Sequence, residues 1–136
     1  GCTLLDTAAL YGGGKAEEII GRALAERPDL AQKCTVTTKT GRTIHGLDYS
    51  YDGVMRGVES SLRRLGLSQI AVVYIHDPMG VPMDEVMGKD RALSALRKLQ
   101  EQGVVRFVGI AADDPRVNGP YIETGEFDAA VVPRAA

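Results

Sequence analysis

Apolar residues follow two alternating rhythms along this chain. Short, nearly continuous apolar runs end at about Asp6, Lys39, His76, Ala112 and Pro133. The first is Cys2-Thr3-Leu4-Leu5 and the second Cys34-Thr35-Val36-Thr37-Thr38. The others cover residues 70–75, 104–110 and 127–132. Runs of this kind suit parallel strands covered by helices. Between them the period lengthens. Ala16, Ile19, Ile20, Ala23 and Leu24 form one helical face, which Arg27-Pro28 should end, because proline disfavours a helical residue before it. Tyr51, Val54, Met55, Val58, Leu62 and Leu65 make a second stripe, with Ser50 or Asp48 as cap and Gly66 just past its end. A third helix is predicted over residues 84–102, burying Val86, Leu93, Leu96 and Leu99. A fourth, weaker one covers residues 115–124, with Asp113 or Asp114 as cap. Strands alternating with helices predict an α/β fold with a parallel sheet. The first three intervals between strand ends are similar in length, and the last is shorter.

Composition narrows the setting. The 136 residues are 44% hydrophobic and 25% charged, ordinary for one soluble globular domain. A net charge of −2 gives no reason to expect nucleic acid or an anionic membrane as partner. No apolar stretch approaches the ~18 residues that suggest a transmembrane span. Cys2 and Cys34 read as buried free thiols, which suits a cytoplasmic setting. Gly1 already lies in a strand-like segment and the last residues close another, so the expectation is a fragment of a larger gene.

Four polar residues then stand out. Asp6, Lys39 and His76 close predicted strands, and Tyr11 follows Asp6 in a glycine-rich loop. In a β/α barrel the carboxyl ends of strands carry the active site. A carboxylate, a phenol, an ammonium and an imidazole gathered there suit proton transfer to or from a substrate oxygen. Each has an ordinary reading too: Asp6 a turn cap, Tyr11 a rim aromatic, Lys39 a surface lysine, His76 a satisfied core histidine. Lys39 also leaves open a Schiff-base role in a barrel aldolase. A neighbouring Asp6 argues against that, because it keeps the ammonium protonated. Gly12-Gly13-Gly14 lacks the spacing of a phosphate loop. Arg63-Arg64 reads as a solvated helix face. His45 reads as an exposed loop residue, and two histidines make no metal site.

The ordered motifs resemble the aldo-keto reductase family. They are Gly1-Cys2-Thr3-Leu4-Leu5-Asp6-Thr7-Ala8 with Tyr11-Gly12 and Glu18-Ile19-Ile20-Gly21, then Thr37-Thr38-Lys39, then Ser60-Ser61-Leu62-Arg63-Arg64-Leu65-Gly66 with Tyr74-Ile75-His76-Asp77-Pro78. Leu96-Arg97-Lys98-Leu99 and the strand through Gly109-Ile110 complete the set. The resemblance implies an incomplete (β/α)8 TIM barrel of about five parallel strands and four helices. Residues 1–136 would then be its second to sixth strand units. It implies interconversion of a carbonyl and an alcohol by hydride transfer with NADP or NAD, on a small-molecule carbonyl or sugar substrate. Tyr11 becomes the general acid and base, Lys39 its ammonium partner, Asp6 the partner of Lys39, and His76 the group that orients the substrate oxygen. A nearby ammonium favours a phenolate, which is the form that accepts a proton.

Asp6, Ala112 and Asp113 are the residues that the resemblance assigns to the nicotinamide end of the cofactor. Many family members have Asp where Ala71 stands, Ser-Asn near Ala111-Ala112-Asp113, and Gln near Pro133-Arg134. These departures resemble the sugar-dehydrogenase and pyridoxal-dehydrogenase side of the family. Two other expectations stay open beside the reductase: a non-catalytic binding or regulatory subunit, and the Lys39 aldolase. The segments that would hold the cofactor pyrophosphate lie beyond the sixth strand, so the 136 residues alone are expected to be inactive. Oligomeric state is left open.

Overall fold

The computed structural model describes residues 4–132. Five strands form one parallel sheet: β1 (Leu4–Asp6), β2 (Thr35–Thr40), β5 (Ile70–His76), β6 (Val105–Ala111) and β7 (Ala129–Val131). They stand side by side in sequence order. A doubly wound sheet reverses its strand order at a switch point; a β/α barrel does not. The order here is that of a barrel. A two-stranded antiparallel ribbon, β3 (Arg42–Thr43) and β4 (Gly46–Leu47), was not expected and rises from the loop after β2. Cys2 and the Pro133-Arg134 tail lie outside the described residues. Cys34, expected inside a strand and buried, sits just before β2 and is half-buried.

The helices that connect the strands are α1 (Lys15–Glu26), α2 (Pro28–Ala31), α3 (Tyr51–Leu65), α4 (Met83–Met87), α5 (Ala92–Glu101) and α6 (Pro115–Glu123). Among the described residues that is two more than the four expected. Pro28 does end α1, but it then opens a separate turn, because proline is well placed at the first helical position. The single helix expected over residues 84–102 is two. Gly88 is extended, Asp90 is left-handed (φ 59), and Arg91 pairs with Ser50 in an isolated bridge. The buried positions Val86, Leu93, Leu96 and Leu99 are nonetheless those expected. The caps also fall where the sequence places them. The Ser50 hydroxyl accepts from the Gly53 N–H at 3.1 Å, and the Asp114 carboxylate accepts from the Arg116 N–H at 2.9 Å.

Strand alternation separates two environments. Val36 of β2, Val73 and Ile75 of β5, and Val108 and Ile110 of β6 join Val54, Val58, Leu65, Leu96 and Leu99 of the helices in one core. Thr37, Lys39 and His76 belong to the other face.

Helix α1 departs from its apolar pattern. Ile19 is 65% exposed, and the buried positions are Glu17, Gly21 and Leu24. The stripe is turned toward Glu17 because that carboxylate is fully buried and fully paired. One oxygen accepts from Arg64 Nε at 2.8 Å and Nη2 at 2.6 Å, and the other accepts from Thr38 Oγ1 at 2.7 Å. Arg64 is therefore a structural cation 25% exposed, not part of a solvated face; Arg63 is solvated as expected. Breaking a buried ion pair costs more than the pair contributes, since the survivor is stranded. Glu17→Ala should lower stability by about 3 kcal/mol, at the low end of that effect, because Arg64 can reach water. Urea unfolding reads it. A midpoint equal to that of the parent protein would mean that the pair does not tie α1 to α3.

Candidate active site

The carboxyl ends of β1, β2, β5 and β6 open into one cleft of about 380 Å³. Asp6, Tyr11, Lys39 and His76 all line it, with Ala112 and Asp113 at the β6 side. The structure thus brings together the residues expected to meet there.

Lys39 is 4% exposed and lies on the cleft face of β2. A buried ammonium requires acceptors. It has two: Asp6 Oδ2 at 3.0 Å and the Thr7 carbonyl at 3.0 Å. Parallel register sets Asp6 opposite Thr37, and the Thr37 hydroxyl donates to Asp6 Oδ1 at 2.6 Å. Asp6 is thereby held by one oxygen from the strand and presents the other to the ammonium. The ordinary readings of Lys39 as a surface lysine and of Asp6 as a turn cap fail here.

Tyr11 opens a tight turn at Tyr11–Gly14 whose three glycines are all left-handed (φ 61, 66 and 98). That conformation explains the triplet without any phosphate loop. The turn returns the chain over the sheet edge. The Tyr11 ring lies 5.2 Å from the Lys39 ammonium, within cation–π range, and stands edge-on to His76 at 6.2 Å with an interplanar angle of 85°. Tyr11 is 44% exposed, open to a ligand in the cleft.

His76 is half-buried, and its Nδ1 has no partner among the described residues. Burial pushes its proton affinity below the usual histidine range. The charges of Lys39 and Arg42 add to that effect, and Asp77 and Asp113 oppose it. The imidazole is therefore favoured as the neutral form. Tyr74, on β5, has its phenol pushed up by burial and then by Asp6.

Sequence reasoning missed several residues that build the site. Thr37 holds Asp6, and the Thr7 carbonyl completes the lysine shell. Arg42 lines the cleft, and Tyr49 supports it from behind. The signal for Thr37 was present in strand alternation, since it shares a face with Lys39. Arg42 and Tyr49 carried no such signal, because their positions depend on how an irregular loop folds back. His45 is exposed in that loop, as expected. Among the described residues no group of three or more His, Cys, Asp or Glu is placed to hold a metal ion. No helix among them is long and apolar enough to cross a membrane.

A parallel strand series in barrel order, with a carboxylate–lysine pair, a phenol and an imidazole at its carboxyl edge, defines a β/α-barrel protein with a cluster of titratable groups in its cleft. The aldo/keto reductase family profile matches residues 1–124, and the chain belongs to that family. The L-galactose dehydrogenase of Arabidopsis thaliana is 32% identical over 110 residues, covering 81% of this chain and 34% of that protein. The pyridoxal 4-dehydrogenase of Microbacterium luteolum is 26% identical over 97% of this chain and 48% of its own length. These are the sugar- and pyridoxal-dehydrogenase relatives expected from the sequence. Among solved structures, an aldo-keto reductase of Klebsiella pneumoniae in complex with NADPH superposes with a TM-score of 0.67 at 26% identity, covering 85% of this chain and 36% of that one. The chain spans about a third to a half of the length of these curated relatives.

Proposed function

We propose that this chain carries the acid–base centre of an NAD(P)-dependent oxidoreductase that interconverts a carbonyl and an alcohol. The observation that carries this reading is the convergence of the Asp6–Lys39 pair, the Tyr11 ring and a neutral-leaning His76 on one cleft. The relatives named for L-galactose and pyridoxal direct the choice of substrate toward a sugar or an aldehyde.

The residues present fit the nicotinamide end of such a cofactor. A cleft of about 380 Å³ lies within the range of small-molecule sites. Asp113 is exposed at its rim, and its carboxylate could accept from a carboxamide. The buried Ala112 offers close approach without a competing side chain. Asp6 borders the same cleft with its carboxylate 42% exposed. These three residues would hold that end, and the cofactor would supply or accept the hydride.

In this reading Tyr11 donates a proton to the carbonyl oxygen in the reductive direction and takes it from the alcohol in the oxidative one. Lys39 favours negative charge on the Tyr11 oxygen as the proton leaves. Neutral His76 hydrogen-bonds the substrate oxygen and orients it. The Lys39 nitrogen is engaged by the Asp6 carboxylate and the Thr7 carbonyl, which leaves it poorly placed to attack a carbonyl carbon as a Schiff-base nucleophile.

The test is a cofactor assay on the full-length protein with a panel of aldoses and aldehydes, followed by NADPH or NADH absorbance. Cofactor-linked turnover, with no borohydride trapping of substrate on the protein, is the expected result. Ligand binding without turnover of any carbonyl would favour a binding subunit, and covalent trapping at Lys39 an aldolase.

A further inference from the structure

His76 poses a positional problem. A functional histidine is normally oriented through its second ring nitrogen. Here Nδ1 is buried and has no partner among the described residues. Something else must hold the ring.

The backbone around it is held instead. Asp77 adopts φ 38, an unusual conformation for a residue with a side chain. Such positions persist only where the surroundings over-determine them. Four hydrogen bonds and one ion pair do so. The Asp77 N–H donates to the Ala111 carbonyl at 2.6 Å. The Tyr49 hydroxyl donates to the His76 carbonyl at 2.6 Å and shares its proton with the Asp77 carbonyl at 3.1 Å. Arg42 Nε donates to the same Asp77 carbonyl at 2.8 Å. Arg42 Nη2 also lies 3.9 Å from the Asp77 carboxylate.

Tyr49 is itself locked in place. It is buried, and its ring lies so close to Gly41 that a Cβ there would overlap it. Gly41 has φ +103, so only glycine meets both demands. The Asp48 N–H closes the loop on the Gly41 carbonyl at 2.9 Å. Burial pushes the Tyr49 phenol up to about 12, so it stays a donor through the working range.

We propose that Tyr49 and Arg42 are positioning residues for His76: from the loop after β2 they clamp the carbonyl of His76, which ends β5, and that of Asp77, which follows it, and so aim the imidazole into the cleft. The clamp ties the strand of Lys39 to the strand of His76 at the edge where both must act. The assignment deepens the oxidoreductase reading and rests on it for its purpose, while the geometry stands without it.

The test uses the full-length protein with selectively ¹⁵N-labelled histidine. Tyr49→Phe deletes only the hydroxyl and keeps the ring against Gly41. Arg42→Leu deletes the guanidinium, and Arg42→Lys restores the charge. The parent should give one sharp pair of His76 imidazole ¹⁵N signals. Tyr49→Phe and Arg42→Leu should shift and broaden them by exchange, and should lower kcat about 10- to 100-fold, the cost of a small misplacement. KM for the cofactor should change less than about twofold, since neither group is assigned to it. Arg42→Lys should recover part of the loss. Unchanged His76 signals in both Tyr49→Phe and Arg42→Leu would overturn the clamp, whatever the activity. So would a fall in kcat that comes only with loss of the folded protein. If the parent protein turns over no carbonyl, the oxidoreductase reading fails, and the ¹⁵N signals still decide the clamp.

Discussion

Tyr11→Phe should reduce turnover of a carbonyl substrate about 10²–10⁴-fold, the range a general acid–base group contributes. The change removes one hydroxyl. The ring that faces the Lys39 ammonium and stands edge-on to His76 remains, so the shape of the cleft is preserved. Cofactor affinity should therefore stay near that of the parent. The loss should appear in kcat and in kcat/KM together, the sign of an interaction made in the transition state. Steady-state kinetics and a fluorescence titration with NADPH are the measurements. A Tyr11→Phe protein with near-normal kcat would remove Tyr11 from the chemistry and leave the half-exposed ring as part of the cleft wall.

Lys39→Met should cost about 10²–10³-fold in kcat, the effect of removing one preorganised charge from the transition state in the proposed mechanism. Stability should move far less, by about 1 kcal/mol in either direction. Two effects oppose each other there. A buried ammonium and its hydrogen bonds to Asp6 and the Thr7 carbonyl are lost, while the desolvation cost of that ammonium also disappears. Asp6 is not stranded, since its carboxylate is 42% exposed and keeps the Thr37 hydroxyl. Methionine fills a comparable volume and adapts to its walls. Kinetics paired with urea unfolding separates the two quantities. A drop of several kcal/mol would show that Lys39 is mainly a structural cation, the role Arg64 plays toward Glu17 on the other face of the sheet.

These two lysine- and arginine-centred pairs differ in what they leave open. Glu17 is sealed and all its bonds are internal to the scaffold. Asp6 and Lys39 lie at a strand edge beside a half-exposed phenol. One pair fastens α1 to α3 and β2. The other has room beside it for a reacting molecule.

Much of this protein was legible along the chain. Strands and helices alternate where the apolar rhythm changes, because burial on both faces of a parallel strand and on one face of a helix imposes different periods. Ser50 and Asp114 announced helix starts, since their short side chains satisfy backbone donors that nothing else reaches. Asp6, Lys39 and His76 were visible because each polar residue interrupts an apolar run at its end. Tertiary structure decided what periodicity cannot encode. Glu17 turned α1 away from Ile19, because a carboxylate paired with Arg64 and Thr38 can be buried and an unpaired one cannot. The break between α4 and α5 follows a left-handed Asp90 and a bridge from Arg91 to Ser50, a residue far away in sequence. Arg42 and Tyr49 reached the end of β5 only when an irregular loop folded back over it. Local sequence specifies local conformation, and a contact between distant side chains exists only once the sheet has set their distance.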